Sequence, residues 1–305
     1  MKMSKSLKLW EKPGAGTCMI AGWHQWADAG STSSGLPQYL IDHTHARKIG
    51  EITPSSFYLF QVPGTHHLLR PVVKLNDGYR ERLDRKQNEF FYSGDTEHGF
   101  YVFLGEEPHQ DEALYADAFF DGVEELGIRR VAVVAGVYGA VPYQKDRNVS
   151  CVYSLPSMKE EMARYAVKFS SYEGGATIAM YLADRAEARG IELLRFCAFV
   201  PSYDFSQEVM PVQSVAIGED YKAWYDLMTR LDYMLKLGVE LGDLESKASA
   251  LIQEWDDKIA RITEAMPQLK IGDYMAEIDR EFTEMSFVPL SNVWEEGLRD
   301  ILDNL

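Results

Sequence analysis

The chain has 305 residues, of which 46% are hydrophobic and 26% are charged, and its formal net charge is −16. This composition supports a packed core and excludes collagen-like, low-complexity and highly charged disordered proteins. The acidic balance, with no block of Lys or Arg, also disfavours nucleic acid and membrane surfaces as partners.

The chain shows no targeting or membrane signal. It has no run of about 18 apolar residues, and charges among residues 7–12 interrupt the apolar stretch that a signal peptide needs. We therefore predict a cytoplasmic protein. The cysteines Cys18, Cys151 and Cys197 are odd in number and lie in apolar, strand-like surroundings, which favours reduced core thiols over disulfides or a zinc site.

Strand-like and helix-like patterns alternate over the first two thirds of the chain. Short apolar runs predict strands at 17–22, 56–60, 88–92, 100–105, 131–136, 149–153 and 191–200. Helical spacing with a following glycine predicts helices at 112–126 and 178–189. Asp28 is placed to cap a further helix that runs toward residues 40–41. This alternation predicts an α/β sheet with helices on both faces.

The pattern changes near Gly218 to almost purely helical periodicity. Helices are predicted at 221–237, 244–266, 271–285 and 293–301. Residues 215–305 carry 20 acidic and 9 basic side chains, a net charge of −11, which leaves −5 for residues 1–214. We therefore predict an α/β core domain over 1–217 and an acidic helical C-terminal subdomain over 218–305.

The first candidate site follows the strand at 17–22, at the kind of strand end where open α/β sheets bind ligands. There His24 and Asp28 could act as a base and its orienting carboxylate, while Trp23 and Trp26 could stack on a ring. The alternative is an aromatic plug over the sheet edge with Asp28 as a helix cap. The spacing fixes neither a nucleophile nor a series of ligands, so this structural alternative is favoured.

Gly30 begins a glycine- and serine-rich segment, 30–35, just before the first predicted helix. The segment matches neither the phosphate loop nor the dinucleotide-binding fingerprint, although backbone amides at a helix start leave a weak anion site open. The chain also contains no Gly-x-Ser-x-Gly elbow, which disfavours an α/β-hydrolase.

Glu106, Glu107 and His109 close another predicted strand at the same sheet edge. The two carboxylates could share a proton or hold a metal, with His109 as a further ligand. Adjacent residues point in different directions, however, so a loop that caps the next helix is the favoured interpretation. We predict no metal and no cofactor, and we assign no catalytic residue.

Tyr143 and Arg147 lie in a mixed-charge loop, 141–147, that follows the most apolar strand. This loop could bind an acidic group or a partner subunit, or it could be a solvated connection. The sequence leaves the two interpretations open.

Taken in order, these loops resemble the proteasome-assembly-chaperone family of the second-subunit type, in its prokaryotic members. The matching segments are 22–30, 104–108, 136–149, 171–175, 200–203 and 210–211. The resemblance implies a three-layer α/β/α core similar to the purine-nucleoside-phosphorylase-like fold, followed by an all-helical C-terminal extension. It also implies homo-oligomers, trimers or larger, a chaperone or binding role and no established catalytic residue. The chain ends at 302–305 in Leu-Asp-Asn-Leu, without the hydrophobic-Tyr-any motif by which family members can dock on proteasome rings.

Three hypotheses remain. The first is a cytoplasmic homo-oligomer that binds itself and another protein, with the acidic helices presenting or shielding a partner surface. The second is an enzyme or binder that acts on a nucleoside-like or phosphorylated small molecule at the strand ends, using Trp23, His24, Asp28, Glu106 and His109. The third is that the helical tail simply packs on its own core and gives a stable oligomer whose ligand lies elsewhere. The absence of a complete catalytic constellation favours the first hypothesis without deciding whether the protein is an enzyme.

Overall fold

The computed structural model describes residues 6–61, 69–95, 97–205 and 214–289. The strands in these ranges are β1 Leu7–Leu9, β2 Cys18–His24, β3 Arg47–Ile52, β4 Val73–Asn76, β5 Tyr79–Leu83, β6 Glu89–Gly94, β7 Gly99–Glu106, β8 Arg130–Gly139, β9 Val149–Tyr153, β10 Lys168–Phe169, β11 Glu192–Tyr203 and β12 Val215–Ala216. The α-helices are α1 Gly35–His43, α2 Glu112–Glu125, α3 Lys159–Met162, α4 Ile178–Arg189, α5 Tyr221–Leu235, α6 Gly242–Ala265 and α7 Ile271–Glu281.

One large sheet runs through the molecule in the order β1-β3-β6-β7-β2-β8-β11-β9-β10, and β12 pairs with the end of β11. Its centre is parallel, because β2 pairs in parallel with both β7 and β8, and β8 pairs in parallel with β11. The flanking pairs β3–β6, β6–β7 and β9–β11 are antiparallel. The carboxyl ends of β7, β2, β8 and β11 therefore meet at one edge of the sheet.

Apolar side chains cover both faces of the sheet. On one face α2 and α4 pack against the sheet, with the Phe119 ring of α2 edge-on to Phe103 of β7 at 5.0 Å. On the other face Leu40 of α1 and Trp224 of α5 share one apolar cluster with Val134 of β8. The predicted α/β sheet with helices on both faces is confirmed, and its layers are α/β/α.

The C-terminal helices α5, α6 and α7 belong to the same apolar cluster as the sheet. The predicted boundary between residues 217 and 218 falls between β12 and α5. As a division into two folding units it stays a prediction. The predicted helix at 293–301 lies outside the described residues.

One predicted strand is wrong, the one at residues 56–60. Pro54–Ser56 forms a 3-10 turn, in which the Phe57 amide donates to the Pro54 carbonyl at 3.1 Å. Proline suits the first position of such a turn because an amide hydrogen at that position would have no partner within the turn. The apolar ring of Phe57 packs edge-on against the Tyr115 ring, 5.3 Å away, and Phe57 is not part of the sheet.

The strands β4 and β5 form a separate two-stranded hairpin. Every residue of its two strands is exposed except the half-buried Leu83. Within the described ranges, no helix is long and apolar enough to cross a membrane.

Candidate functional site at the carboxyl ends of the parallel strands

The loops that follow β2 and β7 meet at the carboxyl edge of the sheet, because the two strands pair in parallel with His24 opposite Glu106. They enclose a cleft of about 440 Å³, which we call the carboxylate cleft. Its lining residues are His24, Gln25, Trp26, Asp28, Lys86, Glu106, Glu107, Pro108 and His109. The structure thus brings together six of the predicted site residues, namely His24, Trp26, Asp28, Glu106, Glu107 and His109.

Asp28 organises the loop between β2 and α1. Its Oδ1 accepts hydrogen bonds from the amides of Ser33 and Ser34 at 2.7 and 2.9 Å, and its Oδ2 accepts one from the Ser34 hydroxyl at 2.6 Å. Burial outweighs these hydrogen bonds and raises the pKa of Asp28. Both oxygens are therefore engaged at the start of α1, and the carboxylate is not free to orient His24 as a base.

The raised pKa of Asp28 predicts how two substitutions differ. The folded protein holds the Asp28 proton better than the unfolded chain, so this group contributes stability below its ordinary pKa and loses that contribution as the pH rises toward the folded value. At pH 7 we expect Asp28→Asn to be at least as stable as the natural protein, because the amide oxygen can still accept from both amides. Asp28→Ala should lose about 1 kcal/mol. Urea unfolding at pH 4 and pH 7 measures both effects.

The exposed Asp42→Asn on α1 is the matched control and should change stability little at either pH. Equal losses for Asp28→Asn and Asp28→Ala at pH 7 would show that the loop needs the charged carboxylate, contrary to this account.

Glu106 and Glu107 diverge, as adjacent residues of a strand end should. Glu106 pairs with Lys86, whose Nζ lies 2.6 Å from its Oε2. The Oε1 of Glu107 accepts the amide of Ile178 at 2.7 Å, at the first turn of α4. Glu107 is therefore a cap, as the favoured interpretation held, but it caps α4 and not the next helix in sequence, α2.

His109 is fixed at the far side of the cleft. Its Nδ1 accepts the amide of Leu59 at 3.1 Å, and its ring stands edge-on to Tyr58. Burial, assisted by the nearby Lys86, lowers the pKa of His109. The imidazole is therefore neutral near pH 7 and its Nδ1 lone pair is occupied, which disfavours His109 as a metal ligand through that atom.

Trp23 lies in the core and not in the cleft, which corrects its predicted stacking role. The ring is fully buried against Phe103 and Phe119, and Nε1 donates to the Tyr115 hydroxyl at 2.8 Å. Because alternate residues of a strand face opposite sides, the side chain of Trp23 is directed into the α2 layer. Of the two tryptophans predicted to stack on a ring, Trp26 is 76% exposed and is therefore the one available for this contact.

Gly30 serves as an attachment point for α5. Its carbonyl accepts the Trp224 indole N–H and the Asp220 amide, both at 3.0 Å. A Cβ at this position would lie 2.7 Å from the Cβ of Asp220, and φ is +63°. The glycine thus permits close contact between the loop and the helix, and the structure gives no support to an anion site built on its own amide.

Tyr143 and Arg147 bind acidic groups of the same chain. Arg147 is 1% exposed and donates from Nε to Asp220 at 2.8 Å and from Nη2 at 3.1 Å. The Tyr143 hydroxyl donates to Asp256 of α6 at 2.6 Å. The loop is thus attached to the C-terminal helices of its own chain, and its binding of an external acidic group or a partner subunit stays a prediction.

The charges around Arg147 form a continuous layer between its loop and α5, which we call the charged seam. Its members are Asp146, Arg147, Asp220, Lys222, Asp226 and Arg230. Lys222 pairs with both Asp146 and Asp226, and the Arg147 amide donates to Asp226 at 2.7 Å. Buried charges with carboxylate or carbonyl partners throughout indicate a structural role for this layer.

A second cavity, of about 450 Å³, lies beside the carboxylate cleft and shares Trp26 with it. We call it the aromatic pocket, and it occupies the part of the sheet face that α4 leaves uncovered at the ends of β8 and β11. Its principal lining side chains are Trp26, Tyr138, Tyr172, Thr177, Met180, Arg195, Cys197 and Phe199. The sequence pointed to Trp26 alone, although Arg195 carried a signal, since it is the one charge inside the apolar run 193–200.

The chemistry available in the carboxylate cleft is limited. None of the described residues that line it is a Ser, Thr or Cys nucleophile. In the described part of the chain, no group of three or more His, Cys, Asp and Glu side chains is placed to hold a metal ion. Its carboxylates are occupied by amides, a hydroxyl and Lys86, so the arrangement resembles a structural junction more than an acid–base pair.

Solved structures with the same fold come from bacteria and archaea. A proteasome-assembly chaperone homologue of Mycobacterium tuberculosis aligns with a TM-score of 0.67 and 22% identity, over 80% of this chain and 95% of that one. A protein of unknown function from Corynebacterium glutamicum aligns with a TM-score of 0.73 and 17% identity, over 90% and 96%. An archaeal proteasome activator of Pyrococcus furiosus aligns with a TM-score of 0.58 and 17% identity, over 82% of this chain and 97% of that one. These likenesses establish a PAC2-type α/β fold.

The PAC2 family model matches residues 22–259, which is most of the chain, and the chain belongs to this family. The resemblance of its loops to the proteasome-assembly-chaperone family is thereby confirmed. A comparison with curated protein sequences gave no match.

Proposed function

We propose that this chain is a non-enzymatic, cytoplasmic protein that forms a homo-oligomer, a trimer or larger, and assists the assembly of another protein. Membership of the PAC2 family supports the proposal, as do structural neighbours described as a proteasome-assembly chaperone homologue and a proteasome activator. The occupied carboxylates of the strand-end cleft add support, because they leave no acid–base pair for catalysis.

The observation that carries the proposal is the exposed β4–β5 hairpin. It presents four large apolar side chains to solvent, namely Val72, Val73, Leu75 and Tyr79. A lone two-stranded hairpin is marginally stable in water at best. An exposed apolar ribbon of this kind needs a covering surface, and an oligomer provides one.

The charge of the hairpin indicates which surface covers it. Residues 70–86 carry six basic and three acidic side chains, a net charge of +3 in a chain of −16. Residues 215–305 carry a net charge of −11, and α6 and α7 expose acidic residues such as Glu254, Asp257 and Glu277. The described residues of its own chain leave the hairpin exposed, so the proposed contact is with the acidic helices of a second copy.

The test reverses charge on the hairpin. Arg80 and Arg85 are exposed and form no ion pair with the described residues, so Arg80→Glu/Arg85→Glu leaves the internal pairs of the hairpin intact. We expect the molar mass from light scattering to fall from that of an oligomer toward 34.7 kDa. Raising the salt from about 0.05 M to about 0.5 M should weaken association of the natural chain in the same direction.

The control is Arg129→Glu/Arg164→Glu, which makes the same charge change at exposed positions away from the hairpin and should leave the mass unaltered. An oligomer that keeps its mass in the hairpin variant would show that the hairpin is not the contact. A natural chain that is monomeric at every concentration and salt would refute the homo-oligomer itself.

The alternative function, action on a nucleoside-like or phosphorylated molecule, gains little from the carboxylate cleft. Asp28, Glu106 and Glu107 line it with only Lys86 as a fixed cation. This balance of charge is unfavourable for a phosphate.

A further inference from the structure

The aromatic pocket contains a buried cation that lacks an anionic partner. Arg195 of β11 lines the pocket and is only 9% exposed. Its Nε has no hydrogen-bond partner, and no carboxylate of residues 6–61, 69–95, 97–205 or 214–289 forms an ion pair with it. Leaving a buried charge unpaired is costly, so this position is incomplete as it stands.

Other well-buried arginines of this chain are treated differently. Arg147 is paired with Asp220, and Arg230 donates to the carbonyls of Tyr165, Asp226 and Met285. Arg195 has the Cys197 thiol beside it, and burial raises the pKa of that thiol, so it is uncharged near pH 7 and does not neutralise the guanidinium. The Arg195 guanidinium is therefore left with no anion among the described residues.

Thr177 supplies a second unpartnered polar atom in the same pocket. It is 7% exposed, its Oγ1 has no hydrogen-bond partner among the described residues, and it occupies the N-cap position of α4 without capping it. Glu107 accepts the Ile178 amide in its place. The Thr177 hydroxyl is thus unpaired and buried in the wall of the pocket, and a change of its side-chain rotamer would turn it toward a bound oxygen.

The rest of the pocket is mainly apolar, although Ser150 and Ser170 also line it. Trp26, Tyr138 and Tyr172 stand exposed at its mouth, and Met180 and Phe199 line it further. A volume of about 450 Å³ suits a small organic molecule. Flat aromatic walls with a methionine favour a flat apolar body.

We propose that the aromatic pocket binds a small organic molecule that carries one carboxylate on a flat apolar body. The carboxylate pairs with the Arg195 guanidinium and accepts from the Thr177 hydroxyl, while the body lies against Trp26 and Phe199. A single guanidinium matches the single charge of a carboxylate better than the charge of almost −2 on a phosphate monoester. The proposal is independent of the oligomeric state.

Calorimetric titration of the full-length protein with 1-naphthaleneacetate and with 1-naphthaleneacetamide tests it. The two probes have nearly the same shape and differ in charge. We expect the carboxylate to bind about ten-fold more tightly than the amide, a difference of about 1.4 kcal/mol, because only the carboxylate forms an ion pair with the guanidinium. Arg195→Met should abolish this preference, and its affinity for the amide should stay within about three-fold of that of the natural protein.

Arg195→Met should also retain or raise the stability of the protein, since it removes an unpaired buried charge. Thr177→Val provides a second variant and should weaken binding of the carboxylate several-fold. Arg185→Met is the matched control, because Arg185 lies on α4 outside the pocket and its Nη2 already contacts Asp117. It should leave both affinities unchanged.

Equal affinities for the two probes in the natural protein, or no binding of either, would overturn the proposal. So would a clear fall in the urea midpoint of Arg195→Met, because it would reveal an internal partner of the guanidinium. If a peptide with a free C-terminal carboxylate binds the protein and 1-naphthaleneacetate does not, the ligand is a chain terminus and the proposal of a small molecule is wrong.

Discussion

Arg147→Met is expected to lower the free energy of unfolding by about 3–5 kcal/mol. The substitution keeps the length of the side chain but removes the guanidinium, which leaves Asp220 charged and buried without its partner. It also frees the carbonyls of Tyr143 and Lys145, which now accept from Nη1 at 2.9 and 2.8 Å. Urea unfolding followed by circular dichroism measures the loss.

The double variant Arg147→Met/Asp220→Asn separates the charge from the packing. Asparagine retains an oxygen that can accept the Ala223 amide at the start of α5, a bond that Asp220 now makes at 3.0 Å. With both charges gone, the double variant should lose less stability than Arg147→Met alone.

Arg47→Met is the matched control, because Arg47 pairs with Glu11 at the surface, where an ion pair contributes about 0–1 kcal/mol. A loss below about 1 kcal/mol for Arg147→Met would show that the seam is solvated in solution. The seam also makes deletion of residues 219–305 an unsuitable test of function, since the deletion would expose Arg147 together with the apolar face beneath α5.

Much of the fold could be predicted from the sequence because its central strands are continuous apolar runs and a glycine closely follows two of its helices, Gly127 after α2 and Gly190 after α4. The helix at 178–189 and the strand at 149–153 match the structure residue for residue. The edge strand β1 and its neighbour β3 were not predicted because charges interrupt them. The β4–β5 hairpin was not predicted because it buries no face. Their pairing depends on tertiary contacts that no local pattern carries.

The carboxylate cleft could be predicted for a topological reason, since parallel strands bring the loops after β2 and β7 to one edge. The partners inside it could not be predicted. Glu107 binds α4 from 71 residues away, and Arg147 meets Asp220 across 73 residues. The aromatic pocket is assembled from five separate segments, of which the sequence analysis pointed only to the one with Trp26. Arg195, a charge within an apolar strand, is the signal that could have marked it.

Gly22→Ala is expected to lower the free energy of unfolding by about 3 kcal/mol or more. Overpacking typically costs about 1–3 kcal/mol, and this site lies at the upper end of that range. A Cβ at this position of β2 would lie 1.9 Å from the Ser33 carbonyl oxygen and 2.7 Å from Pro37 Cγ. Backbone cannot rotate away as a side chain can, so the loop that Asp28 organises would have to separate from the sheet.

Gly139→Ala is the control, because the nearest atom to its added Cβ would be Phe199 Cδ1 at 3.6 Å, an ordinary contact. It should leave stability unchanged or raise it by about 0.5–1 kcal/mol, the usual gain when alanine replaces glycine within a strand. Thermal and urea unfolding compare the two. If Gly22→Ala were as stable as Gly139→Ala, the loop would not lie against β2 as closely as it does here. Because the same loop carries Trp26 between the carboxylate cleft and the aromatic pocket, its separation from the sheet should also weaken the binding of 1-naphthaleneacetate.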